Sequence, residues 1–71
     1  MPHREAMKNK DYDLVSVLYH ALQGLETTEQ YMHDAEREGD REVVQYLRDV
    51  QENYQDLADC AKNLLANRIR K

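Results

Sequence analysis

The chain has little of what small folds commonly use to hold themselves together. Cys60 is the single cysteine in 71 residues, so no disulfide can form within one chain. An interchain bond through it is the other use of such a thiol, but a reduced cytosolic thiol is the simpler reading. There is no Phe, no Trp and only five Tyr, so large aromatic side chains cannot fill a core. Pro2 is the one proline, and past it nothing forces a helix to break. No run approaches the roughly 18 to 20 apolar residues that a membrane span needs. The early basic residues are followed by no hydrophobic stretch, which reads against a secretory signal. The expectation is a soluble, cytoplasmic protein with no membrane partner.

Charged residues make up 34% of the chain and hydrophobic ones 41%, with a formal net charge of −4. Nucleic acid is therefore not expected as a partner, because phosphate binding needs a concentrated basic surface. Basic side chains gather at the two ends instead: His3, Arg4, Lys8 and Lys10, then Arg68, Arg70 and Lys71. The second group suits a helix C-terminus, where cations offset the dipole.

The sequence turns at Arg37-Glu38-Gly39-Asp40. Glycine can take the left-handed conformation that closes a helix. Aspartate can accept a hydrogen bond from the free N–H groups that open the next one. Long helix-patterned segments on either side of so short a link predict an antiparallel hairpin. Residues 1–10 read as a flexible arm, with Asn9 or Asp11 capping a first helix over about 11–38. A second helix is expected over about 41–70.

The apolar seam of the first helix runs Leu14, Leu18, Ala21, Leu25, Thr28, Met32, Ala35, in steps of four and three, as in coiled-coil-like bundles. On the second helix the expected seam is Val43, Leu47, Val50, Tyr54, Leu57, Ala61, Leu64, with Val44, Ala58 and Leu65 broadening one flank. Folding about Gly39 sets Met32 level with Leu47, Leu25 with Tyr54 and Leu18 with Ala61. Gly24, mid-helix, costs about 1 kcal/mol against alanine; it marks either a close approach of another backbone or an ordinary exposed position.

Val15, Val17, Tyr19 and Leu22 widen the apolar surface at the end away from the turn. One hairpin cannot cover it, and a small domain without disulfides commonly completes its core by self-association. The expected fold is all-α: an antiparallel two-helix hairpin dimerising into a four-helix bundle. The expected dimer interface is Leu14, Val15, Leu18, Leu22, Leu25, Leu57, Ala61, Leu64 and Leu65. A helical protein partner could take the place of the second copy.

Sites for chemistry are few. Glu26, Glu29, His33 and Glu36 share a helix flank, and carboxylates with imidazole at helical spacing are how bundles hold iron, manganese or zinc. The competing reading is a solvated flank with an ordinary Glu29–His33 pair. His3 and His20 have no ligand-like surroundings, Cys60 has no nearby histidine to activate it, and no phosphate-cradling glycine loop occurs. No catalytic residue, metal ligand or cofactor is assigned, and the chain does not read as an enzyme.

Tyr31, Ala35, Glu38-Gly39-Asp40, Val43-Val44, Leu47 and Ala58 together resemble the first helical hairpin of ferritin-like proteins, rubrerythrin types in particular. The resemblance spans about residues 14–66 and implies the hairpin and the bundle. Members that bind a di-metal centre carry Glu on the first helix and Glu-x-x-His on the second. The matching second-helix positions here hold Tyr54 and Leu57, or Gln51 and Tyr54 in a shifted register, and that helix has no histidine. Only Glu26 or Glu29 could match the first-helix glutamate. The resemblance thus implies a relative without the usual ligands. Two functions follow: a homo-oligomeric structural or protein-interaction module, or a ferritin-like metal protein, for iron storage or di-metal oxidation, with its site at a dimer interface.

Overall fold

The computed structural model describes residues 9–69, which form two α-helices, α1 over Asn9–Arg37 and α2 over Arg41–Ile69. Each is 29 residues long, about 44 Å at 1.5 Å per residue. The expected arm falls mostly outside the described residues, as do Arg70 and Lys71. Asn9 and Lys10 belong to α1 rather than to the arm, since no proline or glycine stands there to stop the helix. Asp11 consequently lies in the first turn and not at the cap, where its charge still faces the positive end of the dipole.

Between the helices the chain reverses at Glu38, Gly39 and Asp40. Gly39 has φ +70°, the only positive φ among the described residues. Its N–H donates to the Glu36 carbonyl at 3.1 Å, and the Asp40 N–H donates to the Ala35 carbonyl at 3.0 Å. This pair of bonds is a Schellman motif, which satisfies carbonyls that the end of α1 would otherwise leave open. Asp40 then opens α2. Its Oδ1 accepts from the Val43 N–H at 3.2 Å and its carbonyl accepts from the Val44 N–H at 3.0 Å. One aspartate thus serves as N-cap and as the first link of the new ladder. With so short a link, α2 must run back along α1.

Register follows the turn. Gln51 Nε2 donates to Glu29 Oε1 at 3.0 Å across the hairpin, and Tyr54 lies against Gly24. A Cβ built on Gly24 would stand 2.6 Å from two atoms of the Tyr54 ring. The close neighbour at this glycine is therefore an aromatic side chain rather than a backbone.

The α1 seam is the expected one: Ala21, Thr28 and Ala35 are buried, and Leu14, Leu18, Leu25 and Met32 are half-buried between them. On α2 the seam is rotated from the expected row. Ala58 and Ala61 are buried, with Val44, Leu47, Gln51, Tyr54 and Leu65 half-buried and Val50, expected in the seam, half-buried at its edge. Val43, Leu57 and Leu64, expected in the seam, are instead 41%, 52% and 44% exposed. The reason is steric. Small residues let two helix axes approach closely, and Ala58 beside Ala61 gives a lower ridge than Leu57 beside Leu64. The contact that brings Ala21 and Thr28 close to α2 selects the alanine row.

Candidate functional site

Two helices side by side make a slab of 50 × 25 × 12 Å, one helix thick. It has two broad faces, and residues seven apart on either helix share one. An open groove on the first face is lined by Leu25, Glu26, Glu29 and His33 of α1 and by Gln51 and Gln55 of α2. Val15 and Leu22 extend the Glu29 row away from the turn on this face. A smaller groove on the second face lies between Tyr31 and Asp34 of α1 and Val43 and Leu47 of α2. Leu57 and Leu64 continue the Val43 row, and Val17 and Gly24 precede Tyr31 on α1.

The residues weighed for metal binding all sit on the first face. His33 Nε2 is 3.5 Å from Glu29 Oε2, both side chains being 61% exposed. His33 Nδ1 is 3.9 Å from Glu36 Oε1. Glu29 also accepts from Gln51, an amide partner that the helix pattern of α1 alone could not reveal; only the level pairing across the turn brings it near. Among the described residues no three carboxylate, imidazole or thiol groups are gathered so that they could hold a metal ion. The positions where a ferritin-like centre would draw on the second helix do not fit that chemistry either. Tyr54 lies on Gly24, Leu57 is half-exposed, and Gln51 offers its amide nitrogen to Glu29. What this cluster can do is bind water and pair charges at the surface, where such pairs contribute about 0–1 kcal/mol.

Cys60 is a free, exposed thiol. Asp34 pairs with Arg37 one turn on, at the end of α1, where the cation faces the negative end of the dipole. Among the described residues, no helix is long and apolar enough to cross a membrane.

The nine residues expected at a dimer interface are not gathered on one surface. Ala61 is buried within the hairpin, and Leu14, Leu18, Leu25 and Leu65 are half-buried between its helices. Val15 and Leu22 are exposed on the first face, Leu57 and Leu64 on the second. The apolar excess at the end away from the turn is present, shared between two opposite sides of the slab. Comparison of the chain with protein-family models, curated proteins and solved structures gives no match.

Proposed function

We propose that this chain is a homo-oligomeric structural or protein-interaction module in which two hairpins pair into a four-helix bundle. The observation that carries the reading is the poverty of the hairpin's own core. Among the described residues the buried side chains are four alanines and Thr28, and no large side chain is fully buried. Ten large hydrophobic residues remain exposed among the described residues, including Leu57, Leu22 and Leu64. Fully burying one such side chain contributes about 1.5–3 kcal/mol. A single layer of structure has nothing to bury them against, whereas domains are built from two or more layers on a common core. A second hairpin supplies the missing layer at the least cost in new sequence.

The same features favour a module over an enzyme. Both seams are mostly apolar, and the His33 cluster with Glu29 and Glu36 stands open on the surface. A metal-binding function at Glu26, Glu29 and His33 would need those side chains drawn into a dimer interior, where unpaired carboxylates are costly.

Sedimentation equilibrium tests the reading. The expected result is a species of about twice 8.4 kDa that holds together at micromolar concentration. A folded monomer at that concentration overturns it.

A further inference from the structure

Granting the paired hairpins, the two faces of the slab are not equal candidates for the contact, and we infer that the second copy docks on the face carrying Val43, Leu57 and Leu64. This inference rests on the proposed self-association and adds which surface makes it. A second row of spacing, flanking the seam that joins α1 to α2, points to that face. From Val43 to Leu64, steps of three and four along α2 pass through Tyr46, Val50, Asn53, Leu57 and Cys60 and meet no charged residue. On α1 the same face runs from Val17 through His20, Gly24 and Thr27 to Tyr31 without a carboxylate, lysine or arginine, and meets Asp34 and Glu38 only beside the turn. Val17 and Tyr31 are exposed there, as are Leu57 and Leu64.

The opposite face reads differently over the same length. Val15 and Leu22 give way to Glu29 on α1, within the stretch that Val17 to Tyr31 covers, and α2 presents Arg48, Gln55 and Lys62. Docking a copy on that side would strip water from those charges, and the cost of doing so commonly exceeds what new pairs return. The chain's net charge of −4 adds repulsion between copies, which a contact centred between Val17 and Tyr31, away from Asp34 and Glu38 at the turn, keeps low.

The stretch without charge on both helices, Val17 to Tyr31 on α1, spans about 21 Å at 1.5 Å per residue, and the slab is 25 Å wide. Together these offer on the order of 500 Å² per copy, about the 1,000 Å² in total that a specific interface needs. The face is self-complementary in chemistry, so a copy related by a two-fold axis meets apolar surface with apolar surface.

The test compares charge placed on the two faces. Leu57→Glu is expected to weaken self-association by at least about 100-fold, and Leu22→Glu by no more than about 3-fold, in sedimentation equilibrium with helicity followed by circular dichroism. A monomeric unaltered chain would remove the proposed function and this inference together. A dimer that survives Leu57→Glu, or dissociates equally with Leu22→Glu, would overturn the choice of face and leave the self-association standing. Should Leu57→Glu fail to fold, isotope-filtered NOEs in a mixed-labelled dimer of the unaltered chain decide. Contacts between copies at the methyls of Val17, Leu57 and Leu64 are expected, and contacts at Val15 and Leu22 instead would overturn the assignment.

Discussion

Gly24 is the residue at which local and tertiary preferences oppose each other. In an isolated helix alanine would be better there by about 1 kcal/mol. In the hairpin the added methyl would meet the Tyr54 ring at 2.6 Å, and the ring would have to leave its place. Displacing a packed aromatic costs about 1–3 kcal/mol, so the tertiary term wins. Gly24→Ala is therefore expected to destabilise the protein by about 1 kcal/mol in thermal or urea unfolding. In a Tyr54→Ala background the ring is gone, and the same substitution should stabilise by about 1 kcal/mol. A substitution with one sign in both backgrounds would show that the ring contact is not what holds the glycine. The hairpin's other glycine, Gly39, has open space around its Cβ position and φ +70°. Its requirement is purely backbone, and any alanine penalty there would be independent of Tyr54.

At the scale of the element, the informative feature is the rotation of α2. Two apolar rows interleave on this helix, one through Leu57 and Leu64 and one through Ala58 and Leu65. They share Leu47, Tyr54 and Ala61, so hydrophobic periodicity cannot separate them, and ranking by side-chain size favours the row that turns outward. The two rows make opposite forecasts for position 58. With Ala58 fully buried against α1, Ala58→Leu would force the helices apart, and a loss of about 1–3 kcal/mol is expected. Were Ala58 on a flank, the larger side chain would be neutral or mildly stabilising. Chemical denaturation of this one variant, with the m-value checked for two-state behaviour, distinguishes the two. The turn between the elements is a separate matter: Asp40→Ala removes the acceptor for the Val43 N–H and should cost about 1 kcal/mol.

For the whole molecule, stability and assembly should be one quantity. If two hairpins pair as proposed, a hairpin whose buried side chains among the described residues are four alanines and a threonine gains further apolar burial from the pairing, so its melting temperature should rise with protein concentration. A concentration-independent melt would mean that one layer suffices. The same measurement addresses metal. Glu29 and His33 are open to solvent, and Glu36 approaches the other nitrogen of His33, so no three ligands are placed to hold one metal ion among the described residues; Zn²⁺ or Fe²⁺ should leave the melting temperature unchanged. A rise on adding metal, abolished by both Glu29→Ala and His33→Ala, would restore the metal-binding alternative.

The sequence by itself determined whatever is decided within a few residues. Gly39 and Asp40 mark the ends of two helices because cap chemistry is local, and the brevity of the link sets the antiparallel course and the level pairing along it. The α1 seam was equally legible, since one row of that helix is apolar throughout and its neighbours turn to glutamate past Leu25. What only the tertiary structure decided is which way α2 faces and what Gly24 accommodates. Both depend on how closely two helix axes can approach, a property of paired surfaces that neither helix carries alone. That approach turns the small row of α2 inward, leaves Leu57 and Leu64 at the surface, and sorts the exposed apolar residues onto two opposite faces.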